Sequence, residues 1–154
     1  MTISGIHHVT LIVDDAEKAS RFYGQVLGLE QKPRPAFKFP GLFYHCGDQE
    51  IHLIIASRPL KQEDLFIRID GISDITRRYI HRHAALVVSD LANLLTRLTD
   101  HGVEILLDPR NVQRKSSDLL LTNLLDGWNK MYGTAPIFCL DPFGNLLEIV
   151  PGRA

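Results

Sequence analysis

The stretch His8-Val9-Thr10-Leu11-Ile12-Val13-Asp14-Asp15 is answered later in the chain by His83-Ala84-Ala85-Leu86-Val87-Val88-Ser89-Asp90. Aligning His8 on His83 places Leu11 on Leu86, Val13 on Val88 and Asp15 on Asp90, and each phrase runs into a helical pattern that closes at a glycine, Gly28 or Gly102. The match continues, because Ile51-His52-Leu53 and Leu147-Glu148-Ile149 stand in the same place in their respective copies. A repeated supersecondary unit constrains the architecture. Here it also sets His8, His52, His83 and Glu148 at four equivalent positions.

From Ile6 to Val13 the residues alternate, with His8, Thr10 and Ile12 on one face and Val9, Leu11 and Val13 on the other, which predicts a strand with one apolar face. Asp14 to Glu17 has capping-box spacing, and Ala19, Phe22, Tyr23, Val26 and Leu27 follow at helical intervals. Further strands are expected near Leu29 to Lys32, Leu42 to Cys46 and Glu50 to Ala56, the last two joined by a turn at Gly47 and Asp48. The second copy predicts a strand from Arg82 to Val88, a cap at Ser89 or Asp90, and a helix carrying Leu91, Leu94, Leu95 and Leu98. The expected fold is α+β: two βαβββ modules forming a curled mixed sheet. The chain is read as a single domain over 1–154, with a first module at 5–56, a connector at 57–80 and a second module at 81–151.

His52 follows His8 by 44 residues but Glu148 follows His83 by 65, so the second copy carries an insertion, placed at about 108–136. Within it Leu119 to Leu125 are followed by Trp128, Met131 and Tyr132, an amphipathic helical pattern. Long insertions in small domains tend to be lids or binding loops. A cover for a sheet edge or a dimer seam is the competing expectation.

With 17 basic and 18 acidic residues in 154, the charge is near balance and nucleic acid is not an expected partner. No stretch reaches the roughly 18 apolar residues of a membrane span, and no apolar signal core is evident. Cys46 and Cys139 are isolated, without CxxC spacing, which fits buried thiols in a reducing compartment; a cytoplasmic location is expected.

The phasing of the strands turns His8 and His52 away from Leu11, Val13, Ile51 and Leu53, and turns His83 and Glu148 away from Leu86, Val88, Leu147 and Ile149. All four are therefore expected to converge. Three imidazoles and a carboxylate suit a borderline divalent ion such as Zn, Ni, Fe, Mn or Co, and do not suit a thiolate-built structural site. His7 and His45 are expected on the opposite side of their strands or at the rim, and His101 in the last turn of a helix, where its cation would complement the dipole.

At these residues the sequence resembles the vicinal oxygen chelate superfamily, which holds glyoxalases, epimerases, fosfomycin- and bleomycin-resistance proteins and extradiol dioxygenases. The resemblance rests on Ile6 to Asp15, on Phe22 to Leu29, on His83 to Val88 and on Asp141-Pro142-Phe143-Gly144-Asn145-Leu146-Leu147-Glu148-Ile149, and spans nearly the whole chain. It implies metal ligands on the first and last strands of each module, here His8, His52, His83 and Glu148, and a homodimer. Glutathione-dependent glyoxalases carry arginine and asparagine four residues after the first and second ligands, where this chain has Ile12 and Ala56. A glutathione thioester substrate is therefore not expected.

The resemblance implies a metal-dependent lyase or isomerase of the glyoxalase-like branch, acting on a small oxygen-chelating substrate, with Glu148 or His52 leaving the metal to act as base. Two other readings stay open. His8, His83 and Glu148 alone make the facial triad of a ring-cleaving iron dioxygenase, with His52 outside it. The fold also serves antibiotic-binding proteins that perform no chemistry.

Overall fold

The computed structural model describes residues 3–65, 82–107, 126–130, 133 and 136–152. The chain divides into two compact units, Met1–Asp64 and Leu65–Ala154.

In the first unit β1 (His8–Val13) leads into α1 (Ala16–Ala19) and a π-helical segment (Ser20–Val26), followed by β2 (Gln31–Lys32), β3 (Gly41–Cys46), β4 (Gln49–Ile55) and the short α2 (Gln62–Leu65). The sheet runs β1-β4-β3-β2. β1 is parallel to β4, whereas β3 is antiparallel to both β4 and β2. β3 and β4 are joined by a tight hairpin in which Gly47 takes φ of +61°, a conformation that costs glycine nothing.

Two local expectations are corrected. Asp15 and not Asp14 caps the helix, its carboxylate accepting the Lys18 N–H at 2.9 Å, while Asp14 accepts the Leu60 N–H at 2.7 Å and ties the end of the unit back to β1. The helix also widens after one turn, the Leu27 N–H reaching Phe22 O, five residues back, at 2.8 Å. An apolar stripe at three- and four-residue intervals does not distinguish the two windings, because Ala19, Phe22, Tyr23 and Val26 are buried in either. Leu27, the last residue of the expected stripe, is only half-buried. The strand expected at 29–32 starts two residues later, at Gln31, because the Leu29 N–H is taken by Tyr23 O at the end of the helix, at 3.0 Å.

The helical side of this sheet is the core. Val13, Tyr44, Ile51 and Leu53 are at most 1% exposed, and the Tyr23 and Tyr44 rings lie 6.1 Å apart. Each fully buried side chain of this size contributes about 1.5–3 kcal/mol.

The second unit repeats the plan with β5 (His83–Val88), α3 (Leu91–Asp100), β6 (Ile105–Leu107), a helical turn at 126–130 (α4), β7 (Ile137–Leu140) and β8 (Leu146–Pro151), in the sheet order β5-β8-β7-β6. Asp90 caps α3 by accepting the Asn93 N–H at 2.9 Å, as Asp15 caps α1. The repeat also extends to single bonds: the Ala56 N–H donates to Val13 O and the Gly152 N–H to Val88 O, both at 2.7 Å and both four residues beyond the equivalent positions 52 and 148. α3 buries Leu94 and Leu98, while Ala84, Leu86, Ile137, Cys139, Leu147 and Ile149 form the buried face of the sheet. Of the expected insertion helix, residues 126–130 are helical; Leu119 to Leu125, Met131 and Tyr132 lie outside the described residues.

Candidate functional site

Strand pairing places the four equivalent residues. In the first unit Thr10 pairs with His52, and in the second Ala85 pairs with Glu148, so His8 and His83 each lie two residues before the partner of the second candidate ligand. Phe43 lies opposite His52 and Phe138 opposite Glu148. The two units therefore present the same three-position pattern: a histidine on the first strand, a donor on the last, and a phenylalanine beside it.

In the first unit His8 and His52 come together. Their rings stack at 4.1 Å, and His52 lies flat against Phe43 on its other neighbouring strand at 3.6 Å and 1°. His7, expected elsewhere, contacts His8 directly, Nδ1 to Nδ1 at 2.9 Å. His45 takes the second of its two expected places, the rim. It pairs with Glu50 and alternates with Tyr44, which puts it on the side of the sheet that carries His52, at its exposed hairpin end.

Sequence reasoning missed Glu50 and Lys32. Glu50 accepts a hydrogen bond from His52 Nε2 at 2.7 Å and forms an ion pair with Lys32 Nζ through its other oxygen. The hydrogen bond with His52, and then that with Lys32, hold the Glu50 carboxyl down at about 2. The signal for Glu50 was available in the alternation, because Glu50 and His52 share a strand face; Lys32 is brought there only by its pairing with Phe43 across the sheet.

In the second unit His83 Nε2 lies 2.8 Å from Glu148 Oε2. Glu148 is 8% exposed, and the same side of the sheet carries an apolar cluster of Leu107, Phe138 and Leu146 joined by Leu106, Trp128 and Leu140. Phe138 meets the His83 ring edge to face at 6.1 Å and the Trp128 indole at 5.3 Å. A carboxylate in such surroundings requires a cationic or hydrogen-bonding partner. β8 is held in place from below by the turn at 141–145: the buried Asp141 carboxylate accepts the N–H groups of Phe143 and Asn145 and the Asn145 side-chain amide, and Gly144 takes φ of +89°.

The donor pair fits a divalent ion. An imidazole nitrogen and a carboxylate oxygen are both ordinary ligands of such ions, and here they lie 2.8 Å apart. Among the described residues no three His, Cys, Asp or Glu side chains form a metal-holding group; His8 meets His52 in the first unit and His83 meets Glu148 in the second.

The chain belongs to the Glyoxalase/Bleomycin resistance protein/Dioxygenase superfamily, whose family profile matches residues 5–149. Its fold is that of a glyoxalase family protein from Bacillus anthracis, with 24% identity and a TM-score of 0.62 over 99% of this chain and 98% of that one. A genomically encoded fosfomycin resistance protein, FosX, from Listeria monocytogenes is similar at 18% identity and a TM-score of 0.60, over 99% of this chain and 96% of that one. An antibiotic binding protein, TnmS3, from Streptomyces sp. CB03234 is similar at 18% identity and 0.59, over 99% of each. No curated protein matches the sequence. Among the described residues no helix is long and apolar enough to cross a membrane.

Proposed function

We propose that this superfamily member is a metal-dependent enzyme of the glyoxalase-like branch, in which His8, His52, His83 and Glu148, drawn from one chain or from two, hold one divalent ion. The observation that carries the reading is the His83–Glu148 pair, two donors 2.8 Å apart on a largely apolar face. When bound, the ion supplies Lewis-acid stabilisation of the enolate or oxyanion charge that develops on a small substrate presenting two oxygens.

The protein residues supply the rest. Glu148 is the proton acceptor: its carboxylate is buried beside Phe138 and Leu146, where exclusion of water strengthens its interaction with a substrate proton. His83 lies within hydrogen-bonding distance of that carboxylate and orients it. Phe43 and Phe138 form the walls against which the nonpolar part of the substrate packs. A homodimer, as the family resemblance implies, completes the proposal, and the free Cys46 and Cys139 fit a cytoplasmic location.

Metal analysis of the purified protein, followed by assay against α-oxoaldehydes and acyl thiols, tests this reading. Metal-loaded protein that binds no oxygen-chelating ligand would overturn it. The Glu50–His52 hydrogen bond favours a second reading, in which His52 stands outside an iron site made by His8, His83 and Glu148. Oxygen uptake with catechols under ferrous loading separates the two.

A further inference from the structure

We infer that Glu50 is a positioning residue for His52, selecting the ring tautomer that leaves Nδ1 as the atom able to ligate. The inference rests on the reading of His52 as a metal ligand and adds a residue that the ligand pattern does not contain.

The His52 ring is confined in plane before Glu50 acts. Phe43 lies parallel at 3.6 Å and His8 nearly parallel at 4.1 Å on neighbouring strands, so the ring has little room to tilt. Stacking fixes a plane but not an edge, since rotating the imidazole by half a turn about its bond to Cβ preserves both stacks while placing each nitrogen where a ring carbon had been. The Glu50 carboxylate removes that freedom, taking Nε2 at 2.7 Å. An ionised carboxylate only accepts, and a neutral imidazole has one N–H and one lone pair. Nε2 therefore carries the hydrogen and Nδ1 the lone pair.

Lys32 explains why Glu50 supports the ligand and does not join it. The ammonium occupies the carboxylate's other oxygen, and a cation there opposes a second, divalent cation on the same group. Glu148 differs at this point, because it pairs with a histidine, His83. The position equivalent to Glu50 in the second unit is Leu146, which has no group to offer. Support of a ligating histidine by a carboxylate on its second nitrogen fixes tautomer and orientation, and its loss lowers metal affinity roughly 10–100-fold.

Long-range proton–nitrogen NMR correlation on the full-length, nitrogen-15-labelled protein tests this, with His52 assigned through His52→Gln. The expected spectrum shows Nε2–H on His52 before metal is added, and Zn²⁺ then moves the Nδ1 resonance. Glu50→Leu is expected to mix the tautomers and weaken Zn²⁺ binding by the stated factor, and Glu50→Gln to restore part of it. An Nδ1–H tautomer in the wild type, a Zn²⁺ shift at Nε2, or unchanged Zn²⁺ affinity in Glu50→Leu overturns the inference. If Glu50→Leu does not fold, the wild-type spectrum decides alone. Failure of the metal reading is seen separately, as Zn²⁺ retained by His83→Ala and Glu148→Ala.

Discussion

His83 Nε2 stands 2.8 Å from Glu148 Oε2, and the carboxylate is 8% exposed. Removing one member of such a pair leaves the other inside the protein without that partner, at a cost of about 1–3 kcal/mol. His83→Ala should therefore lower the melting temperature even in metal-free protein, and also abolish stoichiometric metal binding. Replacing both, as His83→Ala with Glu148→Leu, removes the stranded charge and should recover part of the stability but none of the metal. Thermal unfolding and metal content measured on the same samples check this; metal retained at full stoichiometry in His83→Ala rejects the site.

The two proposed ligands of the first unit, His8 and His52, should behave unequally. His8→Ala is expected to lose metal, whereas His52→Gln, which keeps a donor on the same strand face against Phe43, should weaken binding less. Competition with a chromophoric chelator gives both affinities. Equal losses in the two variants would contradict the ordering.

The repeat was legible because strand alternation is a two-residue signal, and His8, His52, His83 and Glu148 each stand out of phase with neighbours that must be buried, such as Leu53 and Leu86. The fold, and the meeting of His8 with His52 and of His83 with Glu148, follow from that phase. Less was legible where two side chains meet by sequence-distant packing. Lys32 reaches Glu50 only once β2 pairs with β3 and β3 with β4, and nothing in its local spacing marks it. The π-helical winding at Ser20–Val26 was hidden for a different reason, since the buried stripe it presents is the one an α-helix presents.

Gly41 is required by close backbone approach. A Cβ at this position would lie 2.6 Å from Leu53 O, an atom of the strand that carries His52. Gly41→Ala must displace β3 from β4 and is expected to cost about 1–3 kcal/mol. Gly5→Ala, where a Cβ meets nothing within 4 Å, is the control and should be close to neutral. Urea unfolding reports both; a neutral Gly41→Ala would mean that the hairpin shifts freely.

The thiols give a pH signature. Burial, with the Asp141 charge as a second cause, pushes the Cys139 thiol up to about 12, and burial also raises Cys46. The native state therefore holds the Cys139 proton more tightly than the unfolded chain, whose thiol titrates near pH 8.5. Its contribution to stability is full below that pH and declines as pH rises toward 12. Cys139→Ala should flatten the alkaline fall in stability. In native protein at pH 8, a thiol reagent should modify the half-buried Cys46 before Cys139; comparable rates would show that Cys139 is accessible.

Trp128 reports on the insertion. Its indole packs 5.3 Å from Phe138, which lies opposite Glu148 and touches the edge of the His83 ring, so a change at the ligands is one side chain away from the fluorophore. If this segment is a lid over the site, Zn²⁺ followed by oxalate should shift Trp128 emission, and Phe138→Ala should suppress the response while leaving the zinc stoichiometry unchanged. Trp128→Ala should then raise KM more than it lowers kcat, because the ring contributes apolar contact and no proton transfer. A dimer element behaves differently: its emission follows protein dilution and ignores oxalate. The lid is the expected outcome, since Trp128 joins the cluster of Leu107, Phe138 and Leu146 on the side of the sheet that carries Glu148. Emission indifferent to both ligand and dilution would assign the segment to packing alone.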